Sequence, residues 1–192
     1  MDLFAHHIRT IDDVLEEDFC QHLIDKFDAD ENKTTEHLIR DEIKRETSEL
    51  YISGREEWQE EDNILEESIN GALERYFKFI KKSYEEFKPV PYLFDGENYQ
   101  DTGYKIKKYE PGCVFDWHQD FAIHGKSARM LSIIWYLNTI TEEGYTQFSN
   151  GLKIQPEVGK ILIFPATWTY VHRGAPPTSE NKYAITSFIT RE

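Results

Sequence analysis

The sequence predicts a mostly β fold with flanking helices: a double-stranded β-helix, or jelly roll, supported by N-terminal α-helices. Two observations carry that expectation. From Gly103 onward the chain breaks into short β-rich segments divided by turn residues, the texture of a sandwiched or closed antiparallel unit. Before Gly103, two stretches carry apolar residues at helical spacing, and such helices can cover sheet surface that would otherwise stay wet.

The elements follow in order. Leu15, Phe19, Leu23 and Phe27 recur every fourth residue, which predicts an amphipathic helix from Leu15 to Phe27, with Asp12 and Asp13 as caps and acidic residues in its first turn. Residues 28–54 are charged and mixed, with one strand candidate from Glu49 to Ser53. A longer helix is expected from Glu57 to Phe87: Ile64, Leu65, Ile69, Leu73, Tyr76, Phe77 and Ile80 share one side, and Gly71 weakens its middle. Six strand candidates then run from Tyr104 to Tyr109, Leu131 to Leu137, Tyr145 to Phe148, Leu152 to Ile154, Lys160 to Phe164 and Tyr183 to Thr190. Pro111-Gly112, Asn150-Gly151, Pro156 to Gly159 and Ala175 to Pro177 punctuate them, Asn150-Gly151 as a tight-hairpin signal.

With 192 residues, the chain is expected to form one domain, residues 1–100 supplying helical support and outer strands and residues 101–192 the jelly-roll core. A hydrophobic share of 39% against 30% charged residues indicates a globular body rather than a disordered one. The net charge of -14 would repel a phosphate backbone, which excludes nucleic acid as a partner. No stretch reaches the roughly 18 apolar residues that span a bilayer, and the first ten residues lack the basic-then-apolar order of a secretory signal. The expectation is therefore a cytoplasmic protein with no membrane partner. Only Cys20 and Cys113 could form a disulfide, and Cys113, inside the motif loop, reads as a small buried hydrophobe rather than a metal ligand.

Chemistry concentrates in the stretch Tyr109-Glu-Pro-Gly-Cys-Val-Phe-Asp-Trp-His118-Gln-Asp120 and in His172. His118 and Asp120 are two apart, so on an extended strand both side chains leave the same face and can grip one ion together. With His172 they would make two imidazoles and one carboxylate on a triangular face. That set suits non-haem Fe(II), because it leaves the opposite positions open. His6, His7, His22, His37 and His124 lack such spacing and read as surface or helix residues.

The ordered run Tyr109-x-x-Gly112, His118-x-Asp120, Arg129, Tyr136-Leu-Asn138, Glu143-Gly-Tyr-Thr146-Gln-Phe148, Pro156-x-x-Gly159, Phe164, His172-x-Gly174, Pro176 and Lys182 resembles the prolyl 4-hydroxylase-like branch of the 2-oxoglutarate and Fe(II)-dependent dioxygenases. The resemblance implies an enzyme that uses Fe(II), O2 and 2-oxoglutarate as cosubstrate, with ascorbate as a candidate reductant. It couples 2-oxoglutarate decarboxylation to hydroxylation of a peptidyl or amino-acid substrate. It also implies the roles. His118, Asp120 and His172 would be the catalytic metal ligands, while Lys182, Tyr109 and Thr146 would bind the cosubstrate. Lys182 answers a physical need, since a carboxylate buried without a cation is costly. Asp120 itself argues for hydroxylation, because halogenating relatives carry a small residue there.

Arg129, Phe115 and Phe188 fall at the substrate end. Phe115 and Phe188 stand where peptidyl-prolyl members often have Tyr and Trp, which puts prolyl specificity in doubt. The segment from Asp120 to Arg129 is expected to form a flexible loop over the pocket mouth. The alternatives are a non-catalytic jelly-roll module that binds a metal or ligand without turnover, and an oxygenase of the same fold acting on a different small molecule.

Overall fold

The computed structural model describes residues 3–40, 43–84 and 99–191. The elements are α1 (Leu3–His6), β1 (Arg9–Ile11), α2 (Glu17–Ala29), β2 (Thr34–Arg40), β3 (Ile43–Tyr51) and α3 (Gln59–Ser83). They continue with β4 (Tyr99–Asp101), β5 (Lys105–Tyr109), β6 (Phe115–His118), β7 (Ile123–His124), β8 (Ser127–Tyr136), β9 (Thr146–Phe148), β10 (Lys153–Ile154), β11 (Ile161–Pro165), β12 (His172–Gly174) and β13 (Lys182–Arg191).

The strands form one continuous antiparallel path in the order β1-β11-β8-β13-β5-β3-β6-β12-β9-β10. The path folds back on itself. Its first six strands make a large layer and its last four a small one, joined where Arg45 of β3 pairs with Phe115 of β6. Contacts between the layers are direct: the Tyr136 hydroxyl of β8 meets Thr146 Oγ1 of β9 at 2.8 Å, and the rings of Phe148 and Phe164 pack edge to face at 5.0 Å. This is the expected double-stranded β-helix.

Both faces of the large layer are buried, which is why β11 reads as an unbroken apolar run rather than an alternating one. Ile161 and Ile163 point outward into a cluster that includes Leu23, Phe27, Leu65, Ile69, Trp135 and Ile185. Leu162 and Phe164 point inward to join Tyr136, Phe148 and Ala184 between the layers. The helices are also tied by hydrogen bonds. Trp135 Nε1 donates to Ser68 Oγ of α3 at 3.0 Å, and the Tyr183 hydroxyl donates to the Asp28 carboxylate of α2 at 2.7 Å.

Several expectations need correction. Neither Asp12 nor Asp13 caps α2; the N-cap is Glu16, with no side-chain cap bond. The backbone amides of Val14 and Leu15 are held by the Gly159 carbonyl at 2.8 and 3.3 Å, so the chain is pinned to the large layer before it can turn helical, and Leu15 precedes the helix. The long helix opens with a 3-10 turn at Glu56–Trp58 and runs to Ser83; residues 85–87 of the expected span lie outside the described residues. Gly71 does not interrupt it. The strand expected from Glu49 to Ser53 is the end of a longer one, β3. At Asn150-Gly151 the chain does reverse, but through a three-residue loop with Gly151 left-handed (φ 89) and Phe148 N bonded to Leu152 O at 2.8 Å.

Candidate active site

Register brings the two imidazoles together. His118 in β6 and His172 in β12 are direct partners in adjacent antiparallel strands, so their rings lie 4.3 Å apart. Asp120 falls two residues beyond the end of β6, not within a strand as the spacing suggested. Its Oδ1 lies 3.6 Å from His118 Nε2 and its Oδ2 3.5 Å from His172 Nε2. These distances exceed a hydrogen bond. They leave the three donor atoms slightly wider apart than neighbouring ligands on an octahedral ion with bonds of ~2.1 Å, which stand about 3 Å from one another.

The rings are aimed from behind. His118 Nδ1 is 2.7 Å from the Asp116 carbonyl and His172 Nδ1 is 3.0 Å from the Tyr170 carbonyl. A carbonyl only accepts, so each Nδ1 carries the hydrogen and each Nε2 presents its lone pair to the common point. Burial, reinforced by the neighbouring His172, pushes His118 down to about 3, which keeps this ring neutral and able to ligate at neutral pH. Burial alone would raise Asp120, but His172, His118 and the Ser132 hydroxyl outweigh it and hold the carboxyl below its usual range. That hydroxyl donates to Asp120 Oδ2 at 2.7 Å. Among the described residues, His118, Asp120 and His172 are the one group of three whose ligand atoms converge, all within 4.8 Å. A donor set of two neutral nitrogens and one carboxylate fits a divalent transition metal.

A β-bulge in β6 shapes the wall beside this point. Gly174 pairs with Phe115 while His172 pairs with His118, so three steps on β6 match two on β12. Without the extra residue Phe115 and His118 would face opposite ways. With it both line the pocket, and their rings stack at 3.6 Å, 10° from parallel.

Lys182 begins β13 in register with Tyr109 of β5. It is 3% exposed, and its ammonium donates to the Gly144 carbonyl at 2.7 Å and sits 5.0 Å from the Tyr109 ring centre. Burial, helped by the nearby Lys107 charge, pushes it down to about 7. A carboxylate arriving beside this group would restore its proton and be held by it. Tyr109, Thr146 and Lys182 all line one pocket with His118, Asp120, His172, Phe115 and Phe188. Arg129 stands beside that lining rather than in it. Its guanidinium lies 3.7 Å over the Phe188 ring and bonds the Asp120 carbonyl at 3.3 Å. The expected flexible loop before it contains a short hairpin: Ile123 and His124 pair with Ala128 and Ser127, turning through Gly125 at φ 63. Cys113 falls outside the converged group, and burial pushes the Cys20 thiol up to about 11.

The polar residues Ser132 and Lys107 of the pocket carried no assigned role in the sequence reading, and neither did Tyr136, which stands behind Thr146. Ser132 and Tyr136 sit in an apolar-looking strand where only the inward alternation marks them. Lys107 had that same signal, since it is two before Tyr109 and shares its face.

Residues 104–190 match the family model of the 2OG-Fe(II) oxygenase superfamily. Over these residues the chain is similar to that superfamily. The description of that model names 2-oxoglutarate and Fe(II), and the converged donor set suits such a metal. Solved structures share the oxygenase fold across nearly the whole chain. A viral collagen prolyl hydroxylase from Paramecium bursaria Chlorella virus-1, in a 2OG complex, superposes with TM-score 0.65 at 18% identity, covering 97% of both chains. A Pseudomonas putida prolyl-4-hydroxylase gives 0.65 at 20% identity, over 100% of this chain and 96% of that one. A Trichoplax adhaerens prolyl hydroxylase, in complex with a hypoxia inducible factor oxygen degradation domain peptide fragment, gives 0.68 at 17%, over 96% and 83%. No curated protein matches the chain in sequence.

Proposed function

We propose that the chain is an Fe(II)- and 2-oxoglutarate-dependent hydroxylase that couples 2-oxoglutarate decarboxylation to oxygen insertion into a peptidyl or free amino-acid substrate, with a prolyl group as the first candidate. The observation that carries this reading is that one pocket contains both the His118, Asp120 and His172 donors and, at its closed end, the buried ammonium of Lys182. A metal grip and a separate carboxylate anchor are what a chelating dicarboxylate requires.

His118, Asp120 and His172 hold the metal, and their carbonyl and hydroxyl partners fix the three donors before it arrives. When bound, Fe(II) with 2-oxoglutarate and O2 supplies the oxidising chemistry. Lys182 holds the far carboxylate, and the Tyr109 and Thr146 hydroxyls line its path, Thr146 being oriented by Tyr136. Ile134, Phe115 and Phe188 exclude water from the reacting end. Phe188, Phe115 and Arg129 would meet the primary substrate. The chain is taken as one domain acting in the cytoplasm; no helix among the described residues is long and apolar enough to cross a membrane.

The test is spectroscopic first. Anaerobic Fe(II) plus 2-oxoglutarate should give a weak visible charge-transfer band that His118→Ala and Asp120→Ala abolish; an unchanged band in either variant would overturn the site. Proline-rich peptides and free amino acids, scanned by mass spectrometry for a gain of one oxygen, then identify the substrate. Failure to form succinate from 2-oxoglutarate with O2 present would favour a binding module without turnover.

A further inference from the structure

The two imidazoles of the site are held from behind in different ways. The Asp116 carbonyl that fixes His118 belongs to the same strand and is locked locally, the Asp116 carboxylate accepting from Trp117 N at 2.8 Å. The flat ring that covers His118, Phe115, also comes from β6. His172 is supported from farther away. β12 is three residues long, and the carbonyl that takes the His172 Nδ1 hydrogen belongs to Tyr170, in the turn that enters the strand.

What holds Tyr170 comes from the N-terminal turn α1. The Tyr170 ring, 8% exposed, stacks on that of Phe4 with centres 4.4 Å apart and planes 15° from parallel. Its hydroxyl donates to the Phe4 carbonyl at 3.4 Å, across 166 positions of sequence. One residue thus grips Tyr170 by its ring face and, through the backbone, by its hydroxyl. The Phe4 ring also meets Phe148 edge to face at 6.4 Å, and the Phe148 ring lies 5.8 Å from that of His172. Phe4 therefore reaches the ligand by two routes, one to its hydrogen-bond partner and one to its packing.

α1 is a single turn, too short to be stable as an isolated helix. Side chains fix it in place. Ile8, 6% exposed, enters the cluster between the layers with Tyr136, Phe148 and Phe164, and the Tyr76 hydroxyl of α3 donates to the His7 carbonyl at 3.1 Å. From Arg9 the chain runs on as β1 along β11. Phe4 is thus a fixed surface against which Tyr170 can rest. A stacked aromatic pair restricts the tilt of both rings, whereas an aliphatic side chain fills the space and lets the Tyr170 ring rock. Rocking moves the Tyr170 carbonyl off the line of the His172 Nδ1 hydrogen, and a hydrogen bond weakens steeply with angle. The imidazole would then turn, and its Nε2 lone pair would leave the point it shares with His118 and Asp120.

Resting on the hydroxylase reading above, in which His172 is a metal ligand, we propose that Phe4 is a positioning residue for His172: it clamps Tyr170 so that the Tyr170 carbonyl holds the imidazole at the angle at which Nε2 meets the metal. The N-terminal turn is then part of the metal site although it supplies no ligand. One imidazole is held by its own strand and the other by a segment remote in sequence.

The experiment uses full-length protein with 15N-labelled histidine, loaded with Zn(II), which is diamagnetic and supports no turnover. NMR follows solvent exchange of the two imidazole Nδ1 hydrogens, assigned by their through-space contacts to the Phe115 and Phe164 rings. Phe4→Ala should speed exchange at His172 by about tenfold or more and leave His118 within about twofold of wild type. Its Mn(II) affinity, by calorimetry, should fall by about threefold or more, short of the roughly 10–100-fold usual for direct partners of a ligating His. Phe4→Tyr keeps the flat face and should restore both values. Phe4→Leu keeps apolar bulk without that face and should behave as Phe4→Ala, giving the same reading if the alanine variant does not fold. An unchanged His172 hydrogen, equal acceleration of both hydrogens, or wild-type behaviour in Phe4→Leu would each overturn the proposal and leave the hydroxylase reading standing. Wild-type protein that binds no divalent metal would overturn that reading, and the proposal with it.

Discussion

Replacing Ser132 by Ala tests whether the carboxylate ligand is held in place by its surroundings. Ser132 is 1% exposed, and its hydroxyl donates to Asp120 Oδ2 at 2.7 Å, the same oxygen that lies 3.5 Å from His172 Nε2. A hydrogen bond to an ionised acceptor contributes about 1.5–3 kcal/mol. In the variant the carboxylate must be turned towards the metal without that support, and part of the loss is made good by the ion itself. We therefore expect the lower part of that range, about 1.5–2 kcal/mol, a divalent-metal affinity weaker by about 10–30-fold, at the low end of the usual effect of outer partners on metal sites. Calorimetric titration with Mn(II), using Asp120→Ala as the limit of complete ligand loss, measures it. A change below threefold in a protein that melts like wild type would refute the reasoning, because Asp120 would then be positioned by the backbone alone.

Other outcomes follow from the same geometry. Lys182 sits at about 7 through burial and the Lys107 charge, so it is charged below that pH and loses its proton above it. Affinity for 2-oxoglutarate, measured by calorimetry, should fall by about tenfold for each unit well above pH 7, and Lys182→Arg should flatten the slope. Gly71 lies in the middle of α3 with nothing within 4 Å of an added Cβ, so Gly71→Ala should stabilise the fold by about 0.5–1 kcal/mol in urea unfolding. Gly159→Ala should do the reverse. Its φ is +74 and the new Cβ would stand 2.3 Å from the Leu15 carbonyl oxygen, so a loss of about 3 kcal/mol or more is expected in the same assay. Tyr183→Phe should cost about 1–2 kcal/mol by releasing the Asp28 carboxylate.

The strands that were legible in the sequence are those that build the core. Ile161-Leu162-Ile163-Phe164 and Tyr183-Ala-Ile-Thr-Ser-Phe advertise themselves because burial demands apolar and β-branched side chains there. The strands that carry the ligands were not legible as strands. Phe115-Asp-Trp-His118 bulges, so its side chains break the two-residue alternation, and His172-Arg-Gly174 is too short and polar to show any period. The candidate donors on and beside them stood out all the same by residue type, and the fold brings His118, Asp120 and His172 within 4.8 Å of one another. The Asp12 and Asp13 caps failed for a different reason: the Gly159 carbonyl that pins Val14 and Leu15 is remote in sequence, and no local pattern reports it.

The two anchors proposed for the cosubstrate belong to opposite layers. The metal donors stand on β6, its extension and β12, while Lys182 stands on β13 across the sandwich. Their separation is therefore set by the gap between the sheets, kept by contacts such as Phe148 against Phe164, together with the reach of the buried Lys182 side chain held by the Gly144 carbonyl. The fold thereby works as a gauge block for chain length. A diacid one carbon shorter could be gripped at the metal or at the ammonium but not at both, and thinning the core by trimming Phe148 would reset which diacid fits without touching either anchor.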